Sequence, residues 1–341
     1  MAQTYNFTRK PIKIKTESNK MDVQTLKKEV IKGKLISKEE AIFIANADLE
    51  EICSAADEIR EAFCGKAFDI CTIINGKSGR CSENCKYCAQ SGCAKNEVES
   101  HALLDTDTIV KDAKRCAEQG VVRYSIVTSG RSLNDEEVES ACESIRAIKK
   151  ETGIEVCVSF GLLNEEQFRK LKDAGVTRIH NNLETSRRYF PSVCSTHTYD
   201  EKIETIEAAK RAGLQVCSGG IMGIGETMED RIDMVMEQRE LGVKSIPVNM
   251  LNPIKGTPYE NNKLLTQDEM RRIVAVFRFI VPDASIRLAG GRGLMEDKGV
   301  GCLKSGANAA ISGDMLTTCG INVEKDLEII NELGYEPRLW N

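Results

Sequence analysis

Past a polar stretch at residues 1–20, apolar residues fall at helical spacing from about 23 to 64. Within it Ser37-Lys-Glu-Glu40 reads as a helix start, a hydroxyl cap with a glutamate three residues on. The rhythm then changes. Short β-branched runs alternate with charged amphipathic stretches. The runs are 68–74 (FDICTII), 121–128 (VVRYSIVT), 154–160 (IEVCVSF), 176–183 (VTRIHNNL), 214–218 (LQVCS), 244–250 (KSIPVNM), 285–289 (SIRLA) and 309–312 (AAIS). The stretches between them end at Gly120, Gly153, Gly175, Gly213 and Gly242, where glycine is expected just past a helix end. Eight strands with helical crossovers predict an α/β fold, a (β/α)8 TIM-type barrel whose working residues gather at the C-terminal ends of the strands. A doubly wound open sheet is the alternative. The expected division is a tail and helices over 1–65, the barrel over 66–320, and a C-terminal helix and tail over 321–341.

Strand periodicity sorts side chains by face, because residues i and i+2 point the same way. Arg123 then shares a face with Ser125, Cys157 with Ser159, and His180 with Asn182 and Glu184. Cys217 goes with Gly219, Ser245 with Pro247 and Asn249, and Arg287 with Ala289. These faces are too polar for an outer layer that packs on helices. They should point inward. Barrels are ordinarily filled by Val, Ile and Leu, so a polar lining predicts a buried ligand.

The 341 residues are 41% hydrophobic with a net charge of −5, enough for one large core. No Lys/Arg-rich run carries interleaved aromatics, so no nucleic-acid partner is expected. The basic stretch from Arg9 to Lys20 lacks the apolar run of a secretory signal, and nothing reaches the ~18 apolar residues of a membrane span. A cytoplasmic location is expected. Fourteen cysteines accompany three histidines. In a reducing compartment they are not a disulfide framework. Cys53, Cys64, Cys116 and Cys142 sit in helical patterns and read as small core residues.

Residues 81–88, Cys-Ser-Glu-Asn-Cys-Lys-Tyr-Cys, are the most specific feature. Cys81, Cys85 and Cys88 can bind three irons of a [4Fe–4S] cube and leave the fourth open to chemistry. The competing reading is structural zinc, which wants four closed ligands. The spacing resembles the signature of the radical S-adenosylmethionine (SAM) enzymes. That resemblance implies that SAM chelates the open iron and is cleaved by one electron to a 5′-deoxyadenosyl radical. Tyr87 matches the aromatic whose backbone meets the adenine.

Further segments resemble the biotin synthase family over nearly the whole barrel, from about Phe68 to Thr318. They are CSENCKYCAQSG (81–92), HNNLETS (180–186), THTYDEK (196–202), VCSGGIMGIGET (216–227), SIPVNMLNPIKGTP (245–258), IRLAGGR (286–292) and SGAN (305–308). The resemblance implies sulfur insertion into dethiobiotin at two unactivated C–H positions, with two SAM molecules and a flavodoxin or ferredoxin donor in a homodimer. The 219–226 stretch, with Gly220, Ile221 and Glu226, matches the adenine-binding segment; it also reads as a turn before a helix capped by Thr227. Asn182 and Glu184 match positions touching the SAM ribose and the substrate's ureido ring. Asn249 matches the second ureido-binding amide. An amide side chain suits a ureido group, and inside a strand an unpaired amide would cost roughly 1–3 kcal/mol. Lys202 stands where the family usually has an Arg facing the SAM carboxylate. Thr317 and Thr318 match the pair near the substrate carboxylate.

One departure stands out. Family members hold an auxiliary [2Fe–2S] cluster on three cysteines and an arginine, thought to donate the sulfur. Cys157, Cys217 and Arg287 match; the third cysteine position is Ser125 here. Cys71 on the first strand falls where those members carry a small hydroxyl residue, and offers a relocated thiol. The expectation is that Cys71, Cys157 and Cys217 bind the auxiliary cluster, a four-iron cube in preference to [2Fe–2S], with a sulfide or Arg287 on the last iron. The bland alternative makes Cys71 a core residue. Cys194 and Cys302 are given no role, Cys319 could be a fourth ligand or a persulfide carrier, and Cys93 looks incidental. Two rival functions stay open: another radical SAM enzyme, such as an [FeFe]-hydrogenase maturase, and an iron–sulfur electron carrier.

Overall fold

A computed structural model describes residues 21–340; the polar stretch at 1–20 lies outside the described residues. Three helices come first, α1 (Val23–Ile31), α2 (Lys38–Asn46) and α3 (Leu49–Cys64). Ser37 and Glu40 form the reciprocal capping box that the sequence pointed to. Asp22 and Asp48 cap the other two.

Eight staves then close a parallel barrel. In chain order the strands are β1 (Ala67–Lys77), β2 (Arg123–Thr128), β3 (Glu155–Ser159), β4 (Val176–His180), β5 (Gln215–Cys217), β6 (Gly220–Met222), β7 (Ser245–Met250), β8 (Ser285–Leu288) and β9 (Ala309–Ser312). β5 and β6 are two pieces of one stave, both beside β7, and β1 pairs with β9 to close the ring. A short β10 (Glu336–Pro337) pairs with the start of β1. The open-sheet alternative is thereby set aside.

The helices of the repeat are α4 (Thr106–Glu118), α5 (Asp135–Glu151), α6 (Glu165–Ala174), α7 (Tyr199–Arg211), α8 (Met228–Glu240) and α9 (Gln267–Ile280), followed by α10 (Val300–Leu303) and α11 (Val323–Glu332). Asp105, Asn134, Asn164, Thr198, Thr227 and Thr266 cap α4 to α9 in turn. In a βα unit these helix starts lie at the C-terminal ends of the strands, so the caps pin the rim of the barrel. Ile70, Tyr124, Ile126, Val156, Val158 and Ile246 point outward onto the helices and are at most 1% exposed. Burying each such side chain contributes ~1.5–3 kcal/mol. Cys53, Cys64, Cys116 and Cys142 are buried on α3, α4 and α5. No helix among the described residues is long and apolar enough to cross a membrane.

Three details differ from expectation. Gly153 has no left-handed backbone, because α5 ends in an extended Thr152; the other four glycines do have positive φ. The fourth strand stops at His180, which leaves Asn182 and Glu184 beyond it. The fifth stave breaks at Ser218-Gly219. A Cβ on Gly219 would sit 1.9 Å from the carbonyl oxygen of Pro247, and one on Gly220 2.5 Å from that of Glu184. These glycines answer the chain's own crowding.

Candidate functional site

A cavity of about 410 Å³ occupies the barrel interior. It reaches from the loop after β1, at the rim, down to Arg123 at the first position of β2 and to Arg178 and Arg287. Its wall includes Arg123, Ser125, Cys157, His180, Asn249 and Arg287, the polar strand faces picked out by period two.

At the rim, Cys81, Cys85 and Cys88 all face the cavity and are partly exposed. Their loop is closed by its own backbone, with the Cys81 amide donating to the Gln90 carbonyl at 2.7 Å and the Gly92 amide to that of Glu83 at 2.8 Å. The Gln90 carboxamide oxygen accepts from Ser78 Oγ and the Gly79 amide. Burial pushes the Cys88 thiol up to about 11. A single tetrahedral zinc would draw these sulfurs to ~3.8 Å from one another. They are not so gathered: among the described residues the one trio of potential ligands mutually within 4.8 Å is Cys85, Cys194 and His197. Three spaced thiols on one loop fit the larger iron–sulfur cube.

Between rim and floor lie the polar residues expected to meet ligands. Tyr87 Oη donates to Glu184 Oε1 at 2.8 Å, and Asn182 Nδ2 to Glu184 Oε2 at 3.3 Å. Asn182 Oδ1 accepts from the Gly219 amide at 2.9 Å, bridging the break in the fifth stave. Asn249 Nδ2 donates to the Gly220 carbonyl at 3.1 Å, and its Oδ1 accepts from the Gly290 amide at 2.9 Å. Neither amide is unpaired, and Asn182 is not inside a strand, so the desolvation argument for a ligand does not hold as framed. Each amide still keeps one N–H and one lone pair. Lys202, in the first turn of α7, is buried against the cavity and donates to Asn181 Oδ1 at 3.3 Å. Thr317 and Thr318 line the mouth from the loop after β9. Ile221 lines the wall, whereas Gly220 and Glu226 are not part of it. The Glu226 carboxylate accepts from the amides of Gly223 and Ile224 and pairs with Arg231 at 2.6 Å, which turns it away from the cavity.

At the floor, Asp69 is fully buried beside three arginines: Arg287 at 2.8 Å, Arg178 at 3.5 Å and Arg123 at 3.6 Å. Burial pushes its carboxyl up, but the guanidiniums prevail and hold it at about 2. Arg287 also donates to Cys71 Sγ at 3.2 Å and to the Asp69 carbonyl at 2.8 Å. Cys71, Cys157 and Cys217 are buried and share the cavity. Burial pushes Cys157 up to about 12, aided by the neighbouring Cys217. Burial acts on Cys217 in the same sense, yet a hydrogen bond from His180 and the charges of Arg287 and Arg178 bring it down to about 6. Even with Arg178 counted out, Arg123 and Arg287 outnumber Asp69. Of the three thiols, Cys217 is the one that this surrounding favours as a thiolate. The relocated thiol is not level with the lost one. Ser125 pairs with Ile73 across β1–β2, while Cys71 pairs with Arg123. Cys71 thus sits two residues lower on the same face, about 6.6 Å toward the floor.

Sequence reasoning passed over Asp69 and Arg178, although Asp69 shares a face with Cys71 and Arg178 with His180; the period-two test reaches both. It also left Cys194 idle. The spacing Cys194-x-x-His197 was the available signal, since it places two ligand types one turn apart before α7. Cys302 is buried on α10; Cys93 and Cys319 are exposed in loops.

A family model described as "Radical SAM superfamily" matches residues 76–237, and one described as "Biotin and Thiamin Synthesis associated domain" matches residues 247–336. The chain is 57% identical over 319 residues to a biotin synthase of Brachyspira hyodysenteriae, covering 94% of this chain and 96% of that one. It is 55% identical over 315 residues to a biotin synthase of Akkermansia muciniphila, covering 92% and 98%. Among solved structures, methylornithine synthase (PylB) superposes with a TM-score of 0.78 at 20% identity over 92% of this chain and 97% of that one. The FeFe-hydrogenase maturase HydG from Carboxydothermus hydrogenoformans does so at 0.78 and 18% identity, over 92% and 79%. At such identities the structural likenesses show a shared fold alone.

Proposed function

The chain belongs to the biotin synthase family of radical SAM enzymes, and from that premise we propose that its cavity inserts sulfur into dethiobiotin at two unactivated C–H positions to form biotin. Enzymes of this class carry a [4Fe–4S] cluster and use SAM. The observation that carries the reading is one continuous cavity with three thiols at its mouth, three at its floor and two asparagine amides between. Bound at the mouth, the cluster with SAM supplies a radical able to take hydrogen from an unactivated carbon, and an iron–sulfur cluster bound at the floor supplies the sulfur.

The chain's own residues do the rest. Cys81, Cys85 and Cys88 would hold the first cluster, three thiols for four irons. Tyr87 meets the adenine through its backbone, and Ile221 gives the nucleoside an apolar wall. Gly220 and Glu226 shape this wall through the backbone they fix. Lys202 answers the SAM carboxylate with a single charge in place of an arginine fork. Asn182 and Asn249 turn their spare N–H and lone pair to the ureido ring, with Glu184 on the SAM ribose. Thr317 and Thr318 receive the substrate carboxylate. Asn249 is held by backbone on both sides and Asn182 by the Gly219 amide and the Glu184 carboxylate, so the substrate is oriented without reorganisation of the site.

At the floor, Cys71, Cys157 and Cys217 would hold the auxiliary cluster. Cys71 stands two residues lower than Ser125, and this changed footprint is what favours four irons over two. Arg287 is ion-paired with Asp69 and donates to Cys71 Sγ; a guanidinium so engaged has no lone pair to give a metal. Arg287 would therefore act there by charge and by its hydrogen bond to Cys71, not as a ligand. A flavodoxin or ferredoxin donor, a homodimer and a cytoplasmic setting follow from the family resemblance.

The test is anaerobic reconstitution with dethiobiotin, SAM and a strong reductant, read by mass spectrometry. Biotin together with 5′-deoxyadenosine is expected. Deoxyadenosine without biotin would overturn the substrate assignment, and no deoxyadenosine would favour an electron carrier.

A further inference from the structure

At the cavity mouth Cys85, Cys194 and His197 converge, with Glu83 against the imidazole, a combination that the reaction does not use. Cys194 lies on the segment between the 3-10 turn Phe190–Ser192 and α7. Its Sγ is 3.7 Å from Cys85 Sγ and 3.4 Å from His197 Nδ1. Glu83 Oε2 lies 2.5 Å from the same ring nitrogen and accepts from Thr196 Oγ1 at 2.8 Å. The imidazole is wedged against Phe190, with ring centroids 5.6 Å apart. For metal–sulfur bonds near 2.3 Å and metal–nitrogen bonds near 2.05 Å, a tetrahedral site has S–S edges of about 3.8 Å and S–N edges of about 3.6 Å. The thiol pair and the thiol–imidazole pair already stand close to those edges, while Cys81, Cys85 and Cys88 do not.

We propose that Cys85, Cys194 and His197 form a mononuclear site for a borderline-soft divalent ion in the cluster-free chain, which the Glu83 carboxylate beside the imidazole closes by swinging in as fourth ligand. Two thiolates, an imidazole and a carboxylate suit Zn2+ and Fe2+ and not Ca2+ or Mg2+. Binding displaces the thiol protons to solvent and involves no electron transfer. Glu83 gives up its contact with Nδ1 and stays held by Thr196. Cys85 belongs to this site and, on the family reading, to the cluster. The two metal centres are then mutually exclusive, and an ion held at Cys194 blocks cluster assembly until it leaves.

The test uses the full chain, reduced and cluster-free under anaerobic conditions, with C81A and C88A introduced so that the mouth cannot chelate by itself. Co2+ is the probe. The expected result is that Cys194→Ala and His197→Ala each remove one equivalent of tightly bound Co2+ and its share of the thiolate-to-cobalt absorption, whereas Glu83→Gln weakens that equivalent by roughly 10–100-fold. Far-UV circular dichroism of Cys194→Ser checks folding. Equal Co2+ stoichiometry and spectra with and without Cys194 would overturn the site. A second measurement separates it from the family reading. One equivalent of Zn2+ added to the unsubstituted apo chain should slow the growth of cluster absorbance during iron and sulfide reconstitution, and Cys194→Ala should abolish the delay. Loss of the Co2+ equivalent without any Zn2+ delay would keep the ion site and overturn the competition for Cys85.

Discussion

The mouth and the floor of this barrel both present three thiols, and they are built in opposite ways. At the mouth the thiols lie on one eight-residue loop, partly exposed, fixed by local backbone hydrogen bonds. At the floor they come from three strands far apart in sequence, all buried, and are set among Asp69, Arg123, Arg178 and Arg287. The tail seals the floor from below: the Trp340 amide donates to Asp69 Oδ2 at 3.4 Å and its carbonyl accepts from Arg178. A site that must exchange a cofactor every turnover is placed on a loop that solvent reaches. A site that must keep its contents is placed where strands and buried charge hold it.

The sharpest way to break this contrast is Cys88→Ala. SAM cleavage should disappear entirely while auxiliary iron at the floor persists, as read by deoxyadenosine yield and Mössbauer spectroscopy. Loss of iron from both sites would show that the two centres assemble as one. Cys71→Ala is the mirror experiment. It should abolish biotin and remove the auxiliary iron, yet leave deoxyadenosine formation in place. Unchanged auxiliary iron would return Cys71 to the core and end the relocation hypothesis.

Stability separates the regions next. Asp69→Asn leaves Arg287 and Arg123 buried without their carboxylate. Breaking such a buried pair costs about 3–5 kcal/mol, which should lower the thermal midpoint by roughly 4–7 °C in a chain of 341 residues. Calorimetry of the apo protein checks it. Reconstitution with the auxiliary cluster should widen the deficit, because Asp69 also holds the guanidinium that donates to Cys71.

The same contrast explains what the sequence could disclose. The mouth cysteines were legible because a loop keeps its ligands contiguous, and Thr227 and Ser37 because caps are local chemistry. The barrel was legible because strand and helix periods alternate. The floor was legible only through period two, which located Cys157, Cys217 and Arg287 but was not applied to Asp69 or Arg178. The level of Cys71 against Ser125 depends on interstrand register, which no single strand encodes. Both partners of Asn249, and the Gly219 amide that holds Asn182, are backbone groups of other staves, so these pairings appear only once the barrel closes. Cys194 meets Cys85 across 109 residues, beyond any spacing rule.

The smallest effect is at the rim, where Asp230 offers a second arginine-paired carboxylate to set against Asp69. It receives Ser186 Oγ at 2.6 Å, Arg188 Nε at 3.0 Å and the Thr227 amide at 2.9 Å, tying the segment after Glu184 to the start of α8. Burial opposes ionisation, but Arg188, Ser186 and Thr227 together hold the carboxyl well below its ordinary 3.8. A depressed folded-state value means that folding favours the ionised form. The resulting stability is therefore present above about pH 4 and is lost as the pH falls through the folded-state value. Arg188 is largely exposed, so screening limits the gain. Asp230→Asn keeps an acceptor for Ser186 and should cost only ~1 kcal/mol near neutrality. The difference from the unsubstituted chain should shrink on acidification below pH 4, as followed by urea unfolding at each pH. A gap that stays constant down to pH 2 would mean that shape, not charge, is what Asp230 contributes.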